Sequence, residues 1–225
     1  MKSYQDLLQV GEDEVARMQF VSDAINEYKA SDIYRRAVIA EQYAKKKNVT
    51  IMQYQKFLYT AQGKAVPDEY SPNYQLRSNF FYRFITQENQ YLLGNGITWG
   101  DDSTKEKLDD KFEYTLRKIG KNALVSGVAY GFYDVDTLKM FKATEYRPLI
   151  DEEDGAHKAG IYWWQLAPNK PLRAILYELD GYTEYMWKDG KGSVLREKKP
   201  YKITAIGDSA FYGCSSLESV DIPDS

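Results

Sequence analysis

Cysteine and histidine are almost missing from this chain: its 225 residues hold one of each, Cys214 and His157. A single cysteine excludes an internal disulfide, and a zinc site built from Cys and His has too few donors. Both side chains read as packing or surface residues. Long apolar runs are lacking too, so no transmembrane helix is expected, and the opening Met-Lys-Ser-Tyr-Gln-Asp has no signal-peptide core. The sequence therefore reads as a protein that starts in a cytoplasm, where Asn48-Val49-Thr50 is a loop despite its glycosylation pattern. Excess positive charge is the third absence. There are 30 basic and 33 acidic residues, and before Pro200 the two are even at 29 each. A chain that grips phosphates usually carries a basic excess or stripe, so contact with DNA is expected to be weak and non-specific at most.

Catalytic signatures are missing as well. No Walker lysine, nucleophile elbow or HExxH stands in the sequence. Gly94-Asn95-Gly96 leaves a predicted helix, whereas a phosphate-binding glycine loop leaves a strand and opens a helix. The acidic run Asp151-Glu152-Glu153-Asp154-Gly155 lacks the ligand spacing of a calcium loop and reads as a hairpin tip. No catalytic, cofactor-binding or metal-ligating residue is assigned, and no cofactor is expected. An enzyme is rejected on these grounds.

What is present is a substantial apolar and aromatic content: 43% of residues are hydrophobic, with 20 Tyr and 9 Phe. That suffices for a real core. The densest aromatic stretch runs from Asn73 to Trp99. Leu76, Phe80, Phe81, Phe84, Ile85, Tyr91 and Leu92 recur at helical steps, which predicts a helix beginning just after Pro72 with that face buried as the organising core. Gly94 is expected as its left-handed end, and Ile97 to Trp99 as a short extended segment.

Upstream, Gly11 to Tyr28 predicts an amphipathic helix through Val15, Met18, Val21, Ile25 and Tyr28, with acidic residues near its N-terminus. A second helix, capped by Ser31 or Asp32, runs through Ile33, Ala37, Ala40 and Ala44 to the Lys45-Lys46-Lys47 run, a solvated helix end. Gly63 to Pro72 reads as an irregular connector. Downstream, Gly100 to Ser103 caps a further helix carrying Leu108, Phe112, Leu116, Ile119 and Ala123 on one face. Strand-like runs follow at 128–136, 138–144, 159–165, 174–178, 182–188 and 193–197. Asp154-Gly155, Asp180-Gly181 and Asp189-Gly190 mark reversals. Helices first and strands afterwards predict an α+β fold: a helical arm and connector (1–72), then a core (73–199) of two long helices packed against a mainly antiparallel sheet.

The helix ending N-x-x-x-x-F-I-T-Q-E-N-Q-Y-L-L-G-N-G-I-T resembles the signature helix of the siphovirus-type portal family of tailed bacteriophages. Ala40 to Ile51, Ala123 to Asp136, and Pro148 to Gly155 with the following I-Y-W-W are similar to the family's arm, post-helix strand and aromatic strand. The resemblance covers roughly Asp6 to Lys199. It implies a virion structural protein without catalysis, a wing portion of the ring at the head–tail vertex through which DNA passes. Its partners would be other portal subunits, the terminase, a head–tail adaptor, and scaffold or capsid proteins, with host cytoplasm as the place of assembly and no membrane. The family's stem helix, clip and crown find no counterpart, so the isolated chain is expected to be a truncated portal fragment, a monomer or weak oligomer.

The stretch 200–225 differs in kind and resembles one partial repeat of the BspA-type leucine-rich family, with Ile206, Ala210, Phe211, Cys214, Leu217, Val220 and Ile222 at inward positions. One such unit cannot enclose its own apolar face. The second functional reading, a leucine-rich-repeat binding or adhesion fragment, rests on this unit alone and is weakened by the missing signal peptide.

Overall fold

The structure is a computed structural model and describes residues 2–98, 108–134 and 137–201. Six helices precede or interrupt the strands: α1 (Tyr4–Val10), α2 (Glu14–Lys29), α3 (Asp32–Ala44), α4 (Val49–Met52), α5 (Phe80–Leu93) and α6 (Phe112–Ser126). The strands are β1 (Phe57–Tyr59), β2 (Ala65–Pro67), β3 (Ala129–Asp134), β4 (Thr137–Lys142), β5 (Tyr146–Ile150), β6 (His157–Trp164), β7 (Leu172–Tyr177), β8 (Tyr182–Lys188) and β9 (Lys191–Lys199). The fold is α+β. β5 to β9 form an antiparallel meander in chain order, while β1–β2 and β3–β4 are separate hairpins.

Local chemistry explains the helix starts. Ser3 accepts from the Asp6 N–H while Asp6 accepts from the Ser3 N–H, a reciprocal capping box that opens α1. Asp13 caps α2 by accepting from Val15 and Ala16, and Ser31 caps α3 by accepting from Tyr34. The three Asp-Gly reversals all lie between strands. Asp189 and Gly190, both at positive φ, make the two-residue turn between β8 and β9, the backbone pattern that fits strand twist.

The core is not where the sequence pattern puts it. It lies between α2 and one face of the five-stranded sheet: Val21, Ala24 and Ile25 from α2 meet Leu149, Ile161 and Leu176, all essentially without solvent contact. Tyr28 and Trp163 join edge to face at 5.8 Å. Of the expected α2 face, Val21, Ile25 and Tyr28 are buried, whereas Val15 is exposed. The segment expected as an arm therefore shares one core with the sheet beyond it.

One polar group is sealed into this layer. Arg147, on β5, is only 2% exposed. Its guanidinium donates to the Ala24 carbonyl of α2, to the Lys2 carbonyl at 2.9 Å and to Glu27 at 3.0 Å. Glu27 also accepts the Lys2 N–H at 2.8 Å. These bonds tie the N-terminus, α2 and β5 together. A buried charge is tolerated because every donor direction meets an acceptor.

The opposite face of the sheet is aromatic, and the β3–β4 hairpin lies on it. Phe141 stacks on Tyr146 at 5.2 Å and meets Tyr162 at 4.6 Å, and Phe132 meets Tyr177 at 4.9 Å. The Tyr146 ring lies across Gly160, where a Cβ would fall 1.7 Å from the Tyr146 hydroxyl. That hydroxyl stands 2.8 Å from His157 Nε2. The hairpin's other face takes α6: Ile119 approaches Gly131, and Phe112 meets Tyr133 at 6.3 Å. The order of layers is thus α2, meander, hairpin, α6. The two long helices pack on the hairpin and on each other, not on the meander as the sequence suggests.

Four further expectations are corrected. α5 begins at Phe80, not after Pro72, because Asn73 and Gln75 donate to the Tyr54 carbonyl at 2.9 Å each and hold 73–79 as an irregular strap. Gly94 is right-handed, and the left-handed glycine is Gly96. Within the expected connector, 65–67 pairs with β1, and Leu108 precedes α6 rather than joining it. β5 was absent from the strand pattern, since Arg147 and Pro148 interrupt its apolar alternation. Trp99 and the cap at 100–103 lie outside the described residues, as does the run beyond Tyr201.

Two outcomes follow from this core. Leu149→Ala should lower unfolding free energy by about 2–5 kcal/mol in urea denaturation, the range for an aliphatic side chain removed from a packed interior. Glu27 is held down to about 2, first by the Lys2 N–H and then by Arg147, from an ordinary 4.5. Its contribution is present above 4.5 and is lost as pH falls toward 2; Glu27→Gln should flatten that part of the stability–pH curve, modestly, because the carboxylate is partly solvated.

Candidate assembly surface

The helix expected to be the core turns its aromatic row outward. On α5 only Ile85 is buried, at 5% exposure, whereas Phe84 is 63% and Tyr91 87% exposed. Phe80, Phe84, Gln87 and Tyr91 follow steps of four, three and four, one straight ridge on the solvent side. Phe80 and Phe84 stack on each other at 6.4 Å.

The inner side of α5 is fixed by α6. Gly120 lets the helices approach so closely that a Cβ there would fall 2.6 Å from Leu93 and 2.8 Å from Asn89. Arg117 donates to the Leu93 carbonyl at 3.0 Å, satisfying a group at the C-terminal end of α5. Toward α3, Phe81 meets Tyr43 edge to face at 6.3 Å, and Lys46 and Lys121 both stand over the Tyr82 ring. Lys46, in the run past α3, holds a left-handed backbone at φ 63°.

The ridge continues into the lobe formed by 48–79. Its foundation is polar: Asn48 and Asp68 are buried, and Asp68 accepts from the N–H groups of Tyr70 and Ser71 at 3.0 Å each. Those bonds keep its carboxyl below the usual range, with the Lys56 ammonium at 3.5 Å helping. On this base the lobe raises large apolar side chains into solvent. Tyr59, Tyr74 and Leu76 are each more than three-quarters exposed, and Tyr70 is 93% exposed. All of β1 is exposed.

Nothing here suggests a reaction centre. The acidic run Asp151 to Gly155 is the β5–β6 turn, closed by the Asp151 N–H on the Ala156 carbonyl at 2.8 Å and by Lys158 on Asp154 at 2.8 Å. Gln5 of α1 clamps it, donating to Asp151 and accepting from the Glu152 N–H. Among the described residues no group of three His, Cys, Asp or Glu side chains converges to hold a metal, and no helix is long and apolar enough to cross a membrane. His157 is half-buried between Tyr130 and Tyr146, and burial lowers its pKa.

A sequence profile of the family described as phage portal protein, SPP1 Gp6-like, matches residues 23–155. The chain belongs to this portal family. Among curated proteins none matches the chain. The matched span begins within α2 and ends in the β5–β6 turn. It holds the lobe, α5, α6 and the β3–β4 hairpin. Membership makes the protein a structural, non-catalytic component of a phage head, which accords with a surface built for contact rather than chemistry, and points to the virion as its location. The apolar row of α5 was legible in the sequence; that it faces outward was not, because spacing shows that a face is apolar and does not name what covers it.

Two substitutions separate the two sides of α5. Gly120→Val should destabilise by about 1–3 kcal/mol, because Leu93 and Asn89 leave no room. Phe84→Asp should move the melting temperature by little, within the roughly 0.5 kcal/mol typical of exposed sites. Thermal melts of both variants against the parent chain decide the assignment.

Proposed function

We propose that this chain acts as the wing portion of a portal, a non-catalytic subunit at the head–tail vertex. The observation that carries the reading is the family match across 23–155, which spans helices, hairpin and the start of the sheet as one structural unit. In this role it meets other portal subunits, and through the assembled vertex the terminase, a head–tail adaptor and the scaffold or capsid proteins. Assembly takes place in the host cytoplasm. DNA passes without specific contact, in keeping with the even charge balance before Pro200. On its own the chain behaves as a monomer or a weak small oligomer, consistent with a truncated portal.

The proposed division of the sequence is a helical arm at 1–72, a wing-like core at 73–199 and a single partial BspA-type leucine-rich unit at 200–225. Support for treating the last part separately comes from its composition. Tyr201 belongs with the sheet: its ring meets Phe132 at 5.7 Å and its hydroxyl donates to the Glu178 carbonyl at 2.7 Å. A shortened chain should therefore end after Tyr201.

Mass spectrometry of purified phage particles from the host tests the function directly. The chain should be present in heads, and its gene should stand between a terminase gene and a head-assembly gene; absence from particles together with an unrelated gene setting refutes the reading. In a gel-shift assay at physiological salt the isolated chain should leave duplex DNA unshifted. Truncation after Tyr201 should leave the melting temperature almost unchanged, whereas a fall of many degrees shows that the terminal unit is part of the fold.

A further inference from the structure

We infer that the aromatic surface formed by the lobe and the outer ridge of α5 is a contact site for a second copy of this chain. The inference rests on the portal reading for its biological setting and on the surface itself for its physics.

Size is the first ground. Eight aromatic side chains between Tyr54 and Tyr91 are about half exposed or more. At roughly 200 Å² for each whole side chain, they present on the order of 1,000 Å². The largest apolar patch on an ordinary monomer is about 300–600 Å². A standard interface takes about 800 Å² from each partner, so this surface is large enough to supply one side of it.

Charge is the second ground and selects the partner. From Met52 to Leu92 the chain carries four basic residues, Lys56, Lys64, Arg77 and Arg83, and three acidic ones, Asp68, Glu69 and Glu88. Asp68 is already engaged by Lys56. A nearly neutral apolar surface offers little attraction to nucleic acid or to a strongly acidic segment, and a second copy meets it without like-charge repulsion. Elsewhere the exposed large apolar residues, such as Leu8, Leu166 and Leu179, are scattered along the chain and not concentrated as they are here.

Rigidity is the third. The ridge is held from behind by the Gly120 contact and by Arg117, and the strap at 73–79 is hydrogen-bonded to 52–54. A surface already in place loses little conformational entropy on association. The contact is still weak in isolation, because flanking charges and the lobe's polar base limit how much of the aromatic area is sealed.

Sedimentation velocity of the full chain across the micromolar range tests this. The parent protein should show a weight-average mass that rises above 26.0 kDa with concentration. The double variant Phe84→Asp/Tyr91→Asp should stay at the monomer mass, with association weakened at least tenfold and an unchanged melting temperature. Leu166→Asp, an exposed site away from the ridge, should associate as the parent does. A parent chain that stays monomeric throughout, or a double variant that associates like the parent, overturns the assignment. Because incorporation into particles is measured separately, a monomeric chain found in phage heads would sink this surface and leave the portal reading standing.

Discussion

Everything else in the fold depends on how α2 is seated on the meander, and Arg147 is the group that fixes the seat. Apolar burial of Val21, Ala24 and Ile25 against Leu149, Ile161 and Leu176 supplies the driving force, but it is not directional. The guanidinium is. By reaching the carbonyls of Ala24 and Lys2 and the Glu27 carboxylate, it sets both the rotation of α2 and the position of the N-terminus against the edge strand β5. Burying a guanidinium is costly, and an apolar residue of similar volume can be as stable. What the arginine adds is a single register, since any slip of α2 along the sheet would leave its donors facing apolar side chains.

The sheet's second face solves a different problem. A β-hairpin alone is marginally stable, yet β3–β4 must carry α6 on one side and lie flat on the meander with the other. Its alternation does both: Tyr130, Phe132 and Phe141 point to the sheet, while Gly131, Tyr133 and Leu138 point to α6. Glycine in β6 opens the space that the Tyr146 ring fills, and His157 takes up the hydroxyl. In this way α5 and α6 are attached to the core through one aromatic layer, two steps removed from α2.

Much of this was legible in the sequence, and the parts that were not share one cause. Helix caps and reversals are decided by neighbours in the chain, so Ser31, Asp13 and the Asp-Gly pairs could be read directly. Helices α2, α3 and α6 and the run 182–188 followed from periodicity. The opening helix escaped because its signal is a short capping box, Ser3 with Asp6, ahead of only seven helical residues. β5 escaped because its inward charge is satisfied by residues more than a hundred positions away. No local pattern distinguishes a buried arginine with three acceptors waiting from a surface one.

The misplaced core shows the same limit from the other side. α5 and α2 are both amphipathic, and α5 carries the bulkier apolar row. Bulk does not decide which face is buried, because burial requires a complementary surface within the chain. α2 has one, in the alternation of β5 to β8. For α5 the only neighbours in reach are α3 and α6, both of which press on its Ile85 and Leu93 side, and the hairpin is already taken by α6. The aromatic row is left over. In a protein that works alone, such a row would be a liability for solubility. In a portal-family subunit it is the kind of surface that assembly requires, so the point at which single-chain reasoning fails is also the point at which the chain's role begins to show.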